Sequence, residues 1–277
     1  MNSRKLMYIA ISIVCVLSII VGIYAQIKPK KNKSNSNSII INGREQEYTG
    51  KTQEQLKKEF NNIFDNKFHM TQYDTTNISK LDPTQEIVYT VYTTKDVKEN
   101  YDVEISLPLI NINSEVASKF NQITQKIFAD KANEIFNLTE GNTIYTVSYT
   151  GYINGDIMSV IINSTLKEGN NAQRMIVQTY NYNLKTGKEA TIEDVTAQRG
   201  VSNDDVTKII NTQVKEAIKE AKEIQISGYE VYSRDINDEM YKLENSSTYY
   251  LGNDGALYII YAYGNQEFTS EMDIIVI

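Results

Sequence analysis

The chain has 277 residues, 41% of them hydrophobic and 23% charged, a globular composition with enough apolar residues for a sizeable core. One cysteine excludes an intrachain disulfide scaffold, and one histidine gives little footing for a zinc centre or a Ser/His/Asp site. No acidic residue precedes position 34, so residues 34–277 carry 22 Lys and Arg against 35 Asp and Glu, a net of −13 that disfavours nucleic acid and suits a cationic partner.

Residues 1–5 read as a short cytoplasmic tail carrying Arg4 and Lys5. Leu6–Ala25 then runs without a formal charge, and at about 1.5 Å per residue it spans about 30 Å, the thickness of a hydrocarbon core. The run is longer than the ~7–15 apolar residues of a signal peptide. Ile23 is also bulky for the position three before a cut at Ala25, so an uncleaved anchor is expected. Lys28, Lys30, Lys31 and Lys33 follow it and pull the positive-inside rule toward a cytoplasmic C-terminal part. Against this, a short N-terminal signal before one large domain ordinarily exports that domain. The expected topology is a single-pass cell-membrane protein with its N-terminus in and its C-terminal domain outside.

Residues 26–38 form a basic, then Ser/Asn-rich linker. Residues 39–84 are an N-terminal extension with a short strand near 39–42. In it, Thr52 and Gln55 stand in capping-box register before an apolar stripe of Leu56, Phe60, Ile63 and Phe64.

Residues 85–277 form the main domain, with possible sub-halves at 85–190 and 191–277. Ile87, Tyr89 and Val91 alternate, as do Tyr101, Val103, Ile105 and Leu107, and Pro108 is expected to end the second strand. A long helix follows over 114–137. Strands at about 143–153, 156–167 and 173–184 come next, the first two joined through Asn154-Gly155. Lys185-Thr186-Gly187-Lys188 turns the chain, and Thr191 with Asp194 caps a short helix. Ser202 and Asp205 open a second long helix over 203–224, and a short one is expected at 236–243. Two strands around Gly252–Gly255 and a final strand, EMDIIVI, close the chain. The pattern predicts an α+β fold: an antiparallel sheet with two long helices packed on one face, preceded by the single transmembrane helix.

No nucleophile–base pair or phosphate loop stands out. Asp204/Asp205 and Glu193/Asp194 sit at helix starts, where capping and the helix dipole account for them. His69 reads as an incidental, partly exposed residue. No catalytic residue, metal site or cofactor is expected. The candidate binding residues are Tyr249, Tyr250, Asp254, Tyr258, Tyr261 and Tyr263, a tyrosine-rich set that also suits strand packing.

Asn181, Leu184, Thr186, Gly187 and Lys188 form an Asn-x-x-Leu-x-Thr-Gly-Lys pattern at a strand end, and Asp254, Gly255, Leu257, Tyr258 and Tyr261 form an Asp-Gly turn before an aromatic strand. With YDVEISLPLININSEVASKFNQI ahead of them, residues 85–277 resemble the extracytoplasmic domains of unknown function in RsiV-type anti-sigma factors, related to the non-catalytic part of PdaC-type peptidoglycan deacetylases. Only about five residues precede the anchor, so the sigma-binding role is not implied. With His69 alone, neither is the deacetylase activity. The resemblance implies a non-enzymatic bacterial envelope domain that binds or senses a wall-active protein, such as a cationic lysozyme-like hydrolase, or peptidoglycan itself. The alternative is a structural or assembly partner of another envelope protein.

Overall fold

The computed structural model describes residues 38–41, 44–47, 50–70, 73–226, 233–263 and 270–277. The expected anchor at Leu6–Ala25 lies outside them. Among the described residues, no helix is long and apolar enough to cross a membrane. Strands β1 (Ser38–Ile41) and β2 (Arg44–Glu47) pair as a two-stranded sheet.

The fold is mixed α+β. A seven-stranded sheet is built from β3 (Lys67–His69), β4 (Val88–Val97), β5 (Tyr101–Ile110), β6 (Thr143–Asn154), β7 (Ile157–Glu168), β8 (Arg174–Asn183) and β9 (Lys188–Glu189). They run in the order β4-β5-β6-β7-β8-β9, with β3 also beside β6. The described α-helices are α1 (Gln53–Asn61), α2 (Glu115–Thr124), α3 (Asp130–Phe136), α4 (Ile192–Arg199) and α5 (Asn203–Ile226). β6, β7 and β8 form the expected antiparallel meander. β5 and β6, however, run parallel over Tyr101–Ile105 and Thr143–Val147. The helical segment between them carries the chain back along the sheet, which a hairpin cannot do. Pro108 does not end β5. It pairs with Thr90 beside a bulge between Thr90 and Tyr92, where a residue without an N–H is tolerated.

The helix expected over 114–137 is one run, α2 to α3, interrupted by a π turn at Gln125–Ala129. Ser114 caps it by accepting from the Ala117 N–H at 3.1 Å. It sets Ala117, Phe120, Phe128, Ala132 and Ile135 against Val103, Ile105, Tyr145, Val147 and Tyr180 of the large sheet. Phe120 and Tyr180 stack at 4.7 Å.

The second long helix belongs to another layer, which corrects the expectation of one face for both. β10 (Tyr249–Leu251), β11 (Leu257–Tyr263) and β12 (Glu271–Val276) make a separate antiparallel sheet. It stacks on the opposite face of the large sheet, where Tyr152 and Ile161 meet Tyr250, Ile260, Met272 and Ile274, together with Leu56 and Phe60 of α1. Helix α5 lies against β12. β7 is therefore buried on both sides: Met158, Val160 and Ile162 face the α2–α3 core and Ile161 the other. The short helix expected at 236–243 is instead two 3₁₀ turns, Glu239–Tyr241 and Leu243–Asn245.

Amide side chains complete several strand edges. Gln53 donates to the Ile274 carbonyl at 3.0 Å and accepts its N–H at 2.8 Å. Gln213 does the same for Val276, at 2.7 and 3.0 Å, and Asn121 for Ile110, at 2.9 Å both ways. Each acts as a one-residue neighbouring strand and satisfies a backbone pair that burial would otherwise orphan.

Candidate functional site

The predicted tyrosines are largely consumed by packing. Tyr249, whose side chain is partly buried, donates its hydroxyl to the Ala190 carbonyl at 2.9 Å. Tyr250 is buried and stacks on Tyr258 at 4.8 Å. Tyr261 is buried with its hydroxyl 2.7 Å from Ser246 Oγ, and burial pushes that hydroxyl's pKa up to about 12. Tyr258 is half-buried and donates to the exposed Asp254 at 2.8 Å. Tyr263 pairs with Glu271 in the ladder, and its side chain lies outside the described residues. The structure thus brings Tyr250, Tyr258 and Asp254 together at one end of the small sheet and leaves the Tyr258–Asp254 pair reachable from solvent. His69 stacks on Tyr152 at 5.4 Å and lies 3.0 Å from the Asp65 carboxylate, so it is anchored within the fold.

The family-like residues have structural work. Asn181 accepts from Ser159 Oγ at 2.7 Å and donates to the Tyr249 carbonyl at 2.8 Å, while Ser159 accepts from the Leu251 N–H at 3.1 Å. These bonds dock β10 onto the large sheet. Gly187 takes φ +72° in the turn after β8. Gly255, at φ +77°, gives its carbonyl to Arg199, and a Cβ there would meet Asn154 Nδ2 at 3.2 Å. Gly255→Ala is expected to lose about 1–2 kcal/mol from the left-handed backbone alone, measured as a lower urea midpoint with unchanged slope.

A buried polar cluster sits on β12. Asp273 is fully buried and takes the Arg234 Nε at 2.9 and 3.0 Å and the Tyr241 hydroxyl at 3.0 Å. Nearby, Glu220 accepts the first N–H of α1, from Gln53, at 3.0 Å. Burial raises the Glu220 pKa, and the Gln53 N–H only partly offsets it. The folded state then holds its proton more tightly than the unfolded chain. Ionisation therefore costs stability as pH rises from the unfolded carboxyl range, about 4.3, through the raised folded value. Glu220→Gln keeps an acceptor for Gln53 and is expected to flatten that decline in urea stability measured across pH 4–7.

A cleft of about 730 Å³ lies along the side of the large sheet where β8 is the outer strand. β9 covers β8 only at Tyr182 and Asn183, and Ala190 adds one bond to the Asn181 carbonyl. The chain then leaves at Thr191, the N-cap of α4. Antiparallel strands direct alternate residues' backbone groups to opposite sides. With Asn181 facing β9, Met175, Val177 and Thr179 point the same way. The backbone groups of Met175 and Val177 have no partner among the described residues. Ile127, Leu166 and Ile176 line one side of the cleft and Ile260, Ala262 and Met272 the other. The charges at its rim are mostly matched: Arg174 pairs with Glu168, Lys131 lies 3.2 Å from Glu134 and 3.4 Å from Glu168, and Lys57 lies 3.2 Å from Glu271. Lys126, on the π turn, has no carboxylate partner among the described residues.

No protein-family model and no curated protein matches the chain. Among solved structures it is similar to a DUF3298 family protein from Pseudomonas aeruginosa PAO1, at 8% identity and TM-score 0.38, over 69% of this chain and 89% of that one. It is also similar to a DUF3298 member from Bacteroides fragilis NCTC 9343, at 10% identity and TM-score 0.37, over the same shares. Both structural neighbours belong to a family of unknown function.

The sequence did carry a signal for the cleft. Met175-Ile176-Val177 puts apolar side chains on both faces of a strand followed by a partner of only two residues. An edge strand without proline or lysine in that stretch lacks the usual protection against a further strand.

Proposed function

We propose that the chain is a membrane-anchored, extracytoplasmic binding module that engages a wall-active protein or a wall component and does so without catalysis. The charged-residue-free run Leu6–Ala25 supports the anchor, and the net −13 of residues 34–277 supports a cationic partner. The resemblance of the Asn181–Lys188 and Asp254–Tyr261 stretches to RsiV-type ectodomains points in the same direction. The observation that carries the reading is the cleft beside β8, apolar inside and ringed by paired charges, the character of a binding site.

The test is retention of the detergent-solubilised full chain on immobilised lysozyme and on peptidoglycan sacculi. Saturable retention on one of them is expected, weakening with salt for the cationic protein. No retention on either at low salt would refute the wall-directed reading. Recovery of one stoichiometric envelope protein instead would favour the assembly-partner role, which an open strand edge also suits.

A further inference from the structure

We infer that the cleft takes an extended polypeptide segment of a partner protein, which adds to the large sheet as a strand beside β8. This deepens the binding reading by choosing the chemical class: a peptide backbone, not a glycan.

Met175 and Val177 present both N–H and C=O outward, with no partner among the described residues. A row of donors and acceptors repeating every second residue is matched by another extended chain, and a sugar ring does not reproduce that repeat. The position is a continuation of pairing already present. β9 and Ala190 run antiparallel to β8 opposite Asn183, Tyr182 and Asn181 before α4 draws the chain away. A guest strand in line with β9 meets Thr179, Val177 and Met175 in turn.

The walls fit the two faces of such a strand. Its alternate side chains fall toward Ile127 and Ile176 on the helix side and toward Ile260 and Met272 on the small-sheet side. Ile176 is 48% exposed, so apolar surface stands ready for burial there. The opposite edge of the sheet differs. β4 also exposes Val91, Tyr92 and Val97, but it carries a bulge and the ion-paired Lys95, with Lys98 just past its end, features that blunt edge pairing. Charge narrows the guest further. Among the described residues the cleft's other ionic side chains have carboxylate or cationic partners and Lys126 has none, so a guest bearing a carboxylate at that end is favoured.

The experiment is amide hydrogen exchange on the detergent-solubilised full chain with a panel of eight-residue acetylated peptides. Each alternates Val or Ile with Thr or Ser and ends in Glu or Lys. Exchange at Met175 and Val177 is expected to slow at least tenfold with the Glu-ending set. Ile176 and Gln178, already bonded to β7, should stay unchanged. Val177→Pro removes an outward donor, and Ile176→Glu leaves the backbone intact while spoiling one wall. Each is expected to weaken peptide binding at least tenfold, and the second keeps the test valid if the first does not fold. Unchanged exchange at Met175 and Val177 with every peptide overturns the proposal. So does protection that grows with protein concentration alone, which would mean a second copy of the chain, or tight chitooligosaccharide binding in the cleft without protection. None of these readouts depends on affinity for lysozyme or sacculi.

Discussion

Replacing Arg234 by methionine is expected to remove about 3–5 kcal/mol of folding stability. Asp273 lies in the middle of β12 with no solvent exposure, opposite Tyr261 in the ladder. Its charge is balanced by Arg234, which is 7% exposed and bonds both carboxylate oxygens through Nε, and by the Tyr241 hydroxyl. Without the guanidinium, a carboxylate remains in a low-dielectric site with one neutral donor. Urea unfolding of Arg234→Met should show a much lower midpoint at neutral pH. The double variant Arg234→Met/Asp273→Leu should regain much of the loss, because removing both charges also removes the desolvation penalty. A single variant within about 0.5 kcal/mol of the parent would mean that the pair is effectively solvated.

The second large effect is expected at the outer edge of the small sheet. Gln53→Leu and Gln213→Leu each strand one N–H and one carbonyl of β12 against apolar side chains. The cost is about 1–3 kcal/mol per orphaned group, so roughly 2–4 kcal/mol per variant once some water enters. The two clamps come from different helices, α1 and α5, and grip Ile274 and Val276 separately. The double variant should therefore lose nearly the sum. Amide exchange at Ile274 should accelerate in the first variant and at Val276 in the second.

These two predictions also mark what was legible in the sequence. Local chemistry was readable: the Thr52/Gln55 and Thr191/Asp194 capping boxes and the Asn154-Gly155 turn form where the residue types demand them. Layering was harder to read. Nothing in the stripe of α5 says which sheet it covers, because a helix buries its apolar face equally well on either. Gln53 and Gln213 read as ordinary polar helix residues until a strand edge is placed beside them. The parallel β5–β6 pairing likewise depends on where the α2–α3 run delivers the chain, a matter of tertiary geometry. Tyrosine abundance drew attention to β10 and β11, where Tyr250 and Tyr261 pack inward. The open backbone of Met175 and Val177 is a property of missing pairing, which composition does not register.

The proposed function requires the domain to face the outside of a membrane. Val97 is 62% exposed on β4, well suited to carry a reporter, and Cys15 falls within the apolar run Leu6–Ala25. The decisive measurement is labelling of a Val97→Cys variant with a membrane-impermeant maleimide on intact protoplasts. Labelling before lysis, at the level reached after it, is the result expected of an extracytoplasmic binding module. Labelling only after lysis would place the acidic domain in the cytoplasm and contradict the wall-directed reading.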